Sequence, residues 1–126
     1  MAKSCLQVYP DLQKPFVLHV DASKFALGAT LSQEDESGSL RLLTCTSQKF
    51  NNIKRSYRTH ERELLAMVHA FGYWKYYLMG GLTTVYTDRT YLLYLTTMQP
   101  SERMVRWLGD LALYHFEVKH IPGQQT

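Results

Sequence analysis

Alternating apolar and polar positions predict a strand near the start of the chain. Over residues 16–21, Phe, Leu and Val at even positions alternate with Val, His and Asp at odd positions, and the run ends in Asp21. A period of two is typical of a strand with one buried face. Residues 27–33 and 40–47 predict two further strands, separated by an acidic, glycine-containing turn. Three consecutive strands with short connections favour an antiparallel meander.

The middle of the chain carries an apolar pattern of helical period. Its members recur at i, i+3 and i+4 spacing: Leu64, Met67, Val68, Phe71, Trp74 and Leu78. Thr59 suits the N-cap position, and Gly80 and Gly81 stop the pattern. The sequence therefore predicts one long helix from residue 59 to about residue 79, with an apolar face turned towards a core.

The remaining segments complete an α/β pattern. Residues 83–88 predict a fourth strand, residues 91–98 a short helix or turn, Ser101 the cap of another helix, and residues 116–121 a last strand. The order is β-β-β-α-β-α-α-β. A strand, a crossover helix and another strand imply a parallel pair somewhere in a mixed sheet.

Composition fits one soluble domain and excludes several classes. The 126 residues are 45% hydrophobic and 20% charged, which is ordinary for a globular protein. No apolar run is long enough to span a bilayer, and no signal-peptide pattern is present. Cys5 and Cys45 form neither a disulfide framework nor a metal motif, so we interpret both as reduced thiols. The net charge of +3 permits a nucleic-acid partner without requiring one.

Three carboxylates are the candidate chemistry. Asp21 and Asp88 each end a predicted strand, and the long helix offers Glu61 or Glu63 near its start. These two glutamates fall on opposite edges of the apolar face, so periodicity does not choose between them. Three clustered carboxylates repel, by about 4 kcal/mol per pair at ~4 Å and an effective dielectric of 20. Divalent cations relieve that repulsion, and oxygen ligands favour Mg²⁺ or Mn²⁺. Three unrelated surface acids are the equally weighted alternative.

Four segments give the sequence a family resemblance. FVLHVDASKFALGATLSQ, RSYRTHERELLAMVHAFGYWKYYLMG, TVYTDRTYLLYL and RMVRWLGDLALYHFEVKHIPG, in this order, resemble the ribonuclease H domain of gypsy-type LTR-retrotransposon reverse transcriptases. The resemblance implies the RNase H fold: a five-stranded mixed sheet flanked by helices, with the first three strands antiparallel and the fourth parallel to the first. It also implies endonucleolytic hydrolysis of the RNA strand of RNA–DNA hybrids.

The resemblance also assigns the site. Asp21, Glu63 and Asp88 match the catalytic and metal-binding acids of the family, which hold two Mg²⁺ ions, with Mn²⁺ as a substitute. The E-L-L-A pattern selects Glu63, so Glu61 is expected to serve the helix dipole or to face solvent. The family's fourth acid lies in a helix after the last strand, beyond Thr126. We therefore expect residues 15–126 to be an RNase H-like domain that lacks its last helix, and the chain as given to cleave weakly or not at all.

Candidate substrate contacts cluster before the long helix. Its leading stretch is basic with interleaved aromatic residues: Lys49, Phe50, Lys54, Arg55, Tyr57, Arg58 and Arg62. Such a loop can follow nucleic-acid phosphates, as we predict for Arg55 and Arg58, or it can simply be solvated. The resemblance adds Thr59 and His60 as minor-groove contacts. It also adds Tyr91 as a DNA-strand contact, although packing in the core explains Tyr91 equally well.

The expected partners follow from the same resemblance. They are an RNA–DNA hybrid and a reverse transcriptase polymerase domain upstream, to which residues 1–14 would lead, with no membrane. The expected location is the cytoplasm or a virus-like particle, with the nucleus as the alternative. A different class of function is a silent, connection-like or host-adopted module that binds nucleic acid or protein without cleavage.

Overall fold

The computed structural model of the chain describes residues 10–87 and 100–120. Its elements, in chain order, are β1 (Phe16–Ala22), β2 (Ala26–Glu34), β3 (Leu40–Lys49), α1 (Asn52–Arg55), α2 (Thr59–Tyr73), α3 (Lys75–Leu78), β4 (Leu82–Thr87), α4 (Glu102–Leu111) and β5 (His115–His120). The predicted strands are confirmed to within two residues at each end. None of these described helices is long and apolar enough to cross a bilayer.

The strands form one five-stranded sheet in the order β3-β2-β1-β4-β5. β1 pairs with β2 and β2 with β3 in antiparallel fashion, whereas β4 lies parallel to β1 and β5 parallel to β4. The predicted meander and the predicted parallel pair are therefore both confirmed. β1 becomes the central strand, because the crossover through α2 and α3 returns the chain to its free side.

The core lies between one face of this sheet and the helices. The even positions of β1, from Phe16 to Val20, are buried, and they pack in one cluster with the apolar stripe of α2, which includes Leu64, Met67 and Phe71. α2 contacts β1, β2 and α4. The sheet thus positions α2, and α2 in turn carries the predicted Glu63.

The long helix is interrupted, which its apolar pattern did not predict. α2 ends at Tyr73, and Trp74 leaves helical geometry with φ −110° and ψ 32° before α3 begins. The backbone nitrogen of Trp74 still donates to Ala70 O at 3.0 Å, and both Trp74 and Leu78 are buried. Both side chains stay in the core despite the break in the helix, so the periodic apolar signal continues through it.

A short helix lies where the sequence predicted a loop. In α1, the Asn51 side chain accepts a hydrogen bond from Lys54 N at 2.8 Å and caps the first turn. None of its four residues is buried, so the sequence has no apolar period that would predict this helix. The N-cap of α2 is Arg58, one residue before the predicted Thr59.

The segment before β1 is tied to the sheet by one buried amide. Gln33 Oε1 accepts from Asp11 N at 2.9 Å, while Gln33 Nε2 donates to Asp11 O at 2.7 Å and to Lys14 O at 3.3 Å. Gln33 therefore pairs with Asp11 through both a donor and an acceptor, as a peptide group would. Residues 10–14 belong to the predicted lead-in segment, and its first nine residues lie outside the described ranges.

We expect Leu18→Ala to lower the free energy of unfolding by about 2–5 kcal/mol, because it leaves a cavity in the middle of the central strand. Urea unfolding monitored by circular dichroism would measure the loss. The matched control is Leu113→Ala, whose side chain is 60% exposed and which should cost within about 0.5 kcal/mol. Equal losses in the two variants would contradict this assignment of the core.

Candidate active site

Asp21 lies near the end of the central strand. It is opposite Gly28 of β2, and its side chain is exposed. Strand alternation puts Asp21 on the same face as His19, away from the buried face that packs against α2. A shallow groove of about 460 Å³ runs along this face and is lined by His19, Asp21, Gly28 and Thr30, among others. A ligand can therefore reach this carboxylate from solvent.

The same face brings β1 and β4 together. His19 is opposite Tyr86 in the parallel register, and their rings stack with centroids 5.0 Å apart. Burial lowers the pKa of His19, so its imidazole is biased towards the neutral form. β1 and β4 run in the same direction, so their C-terminal ends lie at one edge of the sheet. Asp88 follows β4 in the sequence but lies outside the described residues.

Glu63 lies in α2, one residue before the buried Leu64. Its side chain is only 5% exposed, although charged residues are rarely buried to this extent. The helix that carries it packs on β1 and β2. The two described acids that the resemblance selects, Asp21 and Glu63, therefore belong to elements that contact each other.

Glu61 has a structural role that differs from exposure to solvent. Its side chain is 7% exposed; Oε1 accepts from Arg58 N at 3.1 Å, and Oε2 accepts from Ser101 Oγ at 2.9 Å. The first bond satisfies a backbone donor at the N-terminus of α2. Of the two roles expected for Glu61, the helix-terminal role agrees with the structure and the solvent-facing role does not.

Ser101 links this helix start to a second one. Its hydroxyl donates to Glu61 and accepts from Met104 N at 3.3 Å, so it also caps α4 as predicted. The Glu61 carboxylate and the Ser101 hydroxyl thus cap the N-termini of α2 and α4 and bond to each other, although they are 40 positions apart in the sequence. This Glu61–Ser101 junction holds the start of α2, where Glu63 lies.

Hydrogen bonds decide the ionisation of Glu61. Burial alone would raise the pKa of this carboxyl, but the donors at Arg58 N and Ser101, with the nearby charges of Arg103 and His60, outweigh burial and leave the pKa below its ordinary value. The carboxylate is therefore ionised at neutral pH, and its charge strengthens both hydrogen bonds.

The loop between α1 and α2 is fixed by a guanidinium and an aromatic stack. Arg62 Nη1 donates to Arg55 O at 3.3 Å and to Tyr57 O. The Tyr57 ring contacts Arg103, with Cζ 4.1 Å from its centroid, and Trp107, at 5.9 Å between centroids. Arg62 and Tyr57 therefore hold the loop rather than presenting free groups to a ligand.

The predicted nucleic-acid contacts divide into exposed and buried residues. Arg55, Arg58 and Thr59 are exposed. His60 is 4% exposed; burial lowers its pKa and Arg58 adds to this, while Glu61 opposes it. Tyr91 lies outside the described residues.

The described residues do not contain a complete metal site. Within residues 10–87 and 100–120, no three His, Cys, Asp or Glu side chains are grouped so as to hold an ion. The predicted third ligand, Asp88, is not among these residues. Asp21 and Glu63 are carboxylates, the donor class that Mg²⁺ takes.

Sequence reasoning missed one further contact near the candidate site. Arg55 Cζ lies 5.3 Å from the ring centroid of Phe25, in the turn after β1. The two residues belong to elements far apart in sequence, so the periodicity of the sequence does not predict their contact. The sequence signal that could have indicated this contact is an aromatic residue in the polar turn Ser-Lys-Phe, four residues after a candidate acid.

Solved structures define the fold class. The chain superimposes on the foamy viral protease–reverse transcriptase dRH in complex with double-stranded DNA, with a TM-score of 0.70 and 19% identity, covering 92% of this chain and 21% of that one. It also superimposes on LC11-RNase H1 in complex with an RNA/DNA hybrid, with a TM-score of 0.62 and 14% identity, covering 85% of each chain. The fold is that of ribonuclease H.

The family follows from the sequence comparison. Residues 11–114 match the RNase H-like domain found in reverse transcriptase, and the chain belongs to this family. The Pol polyprotein from transposon 297 of Drosophila melanogaster is 34% identical over 118 residues, which cover 93% of this chain and 11% of that protein. The corresponding gypsy polyprotein is 34% identical over 120 residues, covering 94% and 11%. The chain thus spans about a tenth of the length of these curated relatives.

We expect Glu61→Ala to lower the free energy of unfolding by about 1–3 kcal/mol, because it leaves Arg58 N and the Ser101 hydroxyl without their acceptor. Ser101→Ala should cost a similar amount. The double variant should cost less than the sum, which a double-mutant cycle in urea would measure. Glu36→Ala, in an exposed turn, is the control and should change stability little. Strict additivity would contradict the Glu61–Ser101 junction.

The junction should also depend on pH in one direction. The pKa of Glu61 is lowered from 4.5 in the folded state, so its contribution is complete above pH 4.5 and is lost as the pH falls through the lower, folded-state pKa. The stability difference between the wild type and Glu61→Gln, measured by urea unfolding, should stay constant from pH 7 to about pH 4.5 and shrink below that. A difference that grows under acid would show that the pKa is raised.

Proposed function

We propose that this chain is the ribonuclease H domain of a retrotransposon reverse transcriptase, and that the natural polypeptide that carries it hydrolyses the RNA strand of RNA–DNA hybrids. The observation that carries the proposal is the buried carboxylate of Glu63 on the helix that packs against β1, the strand with Asp21 near its C-terminal end. Membership of the reverse-transcriptase RNase H-like family supports it. A fold alone would not assign an activity, because one fold hosts many functions.

In this proposal Asp21, Glu63 and Asp88 hold two Mg²⁺ ions, for which Mn²⁺ can substitute. Bound divalent cations of this kind supply an activated water and stabilise the leaving oxygen of a phosphodiester. Asp21 is open to solvent and so can meet both ion and substrate, while the burial of Glu63 holds one carboxylate at a defined place. Carboxylate donors and divalent cations fit because the cations offset the repulsion among the acids.

The remaining residues would bind and orient the hybrid. Arg55, Arg58 and Thr59 are exposed on the segment that leads into α2, where guanidinium groups suit phosphate oxygens. Two predicted contacts remain: His60, which is buried, and Tyr91, which lies outside the described residues. Arg62 and Tyr57, which fix the backbone of this loop, would keep the exposed groups in register with the acids.

The proposed setting is a polyprotein. The relatives are Pol polyproteins from transposons, so we propose that a reverse transcriptase polymerase domain lies upstream and delivers the hybrid. The cytoplasm or a virus-like particle is the proposed location.

The test is cleavage of an RNA–DNA hybrid, labelled on the RNA strand, by the longest natural polypeptide that carries this chain. With Mg²⁺ present, we expect RNA-strand cleavage. Asp21→Asn and Glu63→Gln should each lower it on the order of 100-fold or more, since even outer partners of metal ligands cost 10–100-fold. Glu117→Gln, an exposed acid of β5, is the matched control and should remain active.

Three results would speak against the proposal. Absence of cleavage by the wild type would reject it. Cleavage unchanged by Asp21→Asn would remove the assigned site. Hybrid binding with no turnover under any divalent cation would instead identify a binding module.

A further inference from the structure

Phe25 presents an aromatic ring to solvent beside the candidate site. It lies in the turn between β1 and β2, four residues after Asp21, and 59% of the residue is exposed. A single exposed apolar side chain is ordinary on a protein surface. The contacts around Phe25 distinguish it from other exposed apolar residues.

The backbone of this turn is held from several directions. Ser23 Oγ accepts from Phe25 N and from Ala26 N, both at 3.2 Å, and Ser23 N donates to Ala26 O at 2.8 Å. Phe25 O in turn accepts from Phe50 N, just after β3, at 2.7 Å. Both backbone polar groups of Phe25 are therefore bonded, and the ring projects from a fixed position.

A guanidinium lies over this ring. Arg55 Cζ is 5.3 Å from the Phe25 centroid, within the range of a cation–π contact. Arg55 is exposed, and among residues 10–87 and 100–120 no carboxylate forms an ion pair with it; the pair found there joins Arg41 and Asp35. The Arg55 charge is thus oriented by an aromatic ring and open to an external anion.

A second aromatic–guanidinium pair provides a contrast. Tyr57 also lies under a guanidinium, that of Arg103, but Trp107 contacts it as well and it is half-buried. That stack joins the loop between α1 and α2 to α4, so its role is packing between these elements. Nothing comparable covers Phe25 in the described part of the chain.

We propose that Phe25 and Arg55 form a binding subsite for the RNA–DNA hybrid, in which the phenyl ring packs on sugar faces in the minor groove and the guanidinium takes a neighbouring phosphate. This rests on the proposed ribonuclease function and adds to it a second point of contact, on the Asp21 side. The minor groove of an A-like duplex is wide and shallow, which admits a side chain at the tip of a turn. Arg suits phosphate because its planar fork donates in pairs.

The experiment measures hybrid binding by fluorescence anisotropy in EDTA, so that cleavage does not interfere, on the longest natural polypeptide that carries this chain. We expect Phe25→Ala to weaken binding about 10-fold, in the range of aromatic contacts to nucleic acid. Phe25→Trp should retain most of the affinity. Tyr76→Ala removes an aromatic residue that is 83% exposed on α3, and as the matched control it should bind as the wild type does.

Salt dependence separates the two roles. Arg55→Ala should reduce the slope of log affinity against log salt by about one phosphate contact, whereas Phe25→Ala should lower affinity with a smaller change in slope, because it leaves the charge in place. The double variant should lose less than the sum, because the ring orients the guanidinium. In steady-state cleavage, Phe25→Ala should raise KM more than it lowers kcat.

The outcomes distinguish this subsite from the activity. Binding unchanged by Phe25→Ala, with an active wild type, overturns the subsite alone. Weakened binding with a wild type that never cleaves supports the subsite and overturns the ribonuclease assignment. An equal loss on single-stranded RNA and on the hybrid overturns the minor-groove mode. Should Phe25→Ala fail to fold, as judged by circular dichroism, the Phe25→Leu variant carries the same test.

Discussion

The structure depends on the packing of α2 against the central strand. The apolar residues of β1 and α2 share one buried cluster, and this burial fixes how α2 is rotated about its axis. Glu61 and Glu63 flank the apolar stripe, so the same rotation turns Glu61 towards α4, where it meets Ser101. Two acids separated by one residue thereby acquire different roles: one joins helix ends, and the other is the proposed ligand. Hydrophobic burial thus sets the geometry of the polar groups.

Much of this arrangement could be predicted from the sequence because it is local or periodic. Alternation identified β1 with Asp21 near its end, the 3.6-residue period identified the face of α2, and the crossover predicted a parallel pair in the sheet. The family resemblance assigned that pair to β1 and β4. The choice of Glu63 over Glu61 did not come from periodicity. It came from the family resemblance, and the bonds of Glu61 explain in physical terms why this acid is otherwise engaged.

The features that sequence reasoning missed are polar contacts between distant elements and breaks inside a regular pattern. Trp74 interrupts the long helix while its side chain stays in the core, so the apolar spacing hides the break. α1 depends on one side-chain cap at Asn51 and buries nothing. The pair of Phe25 and Arg55 joins a turn to a helix end. Such contacts need only two complementary groups that meet in space. They produce no repeating pattern along the sequence, so periodicity does not predict them.

The amide of Gln33 has a mechanical consequence. It accepts a hydrogen bond from Asp11 N and donates to Asp11 O and to Lys14 O. The segment ahead of β1 is therefore bonded to β2. Tension on the chain ahead of β1 would therefore act on these three hydrogen bonds as well as on the pairing of the central strand. A side chain of β2 thus anchors the backbone segment that leads into the strand carrying Asp21.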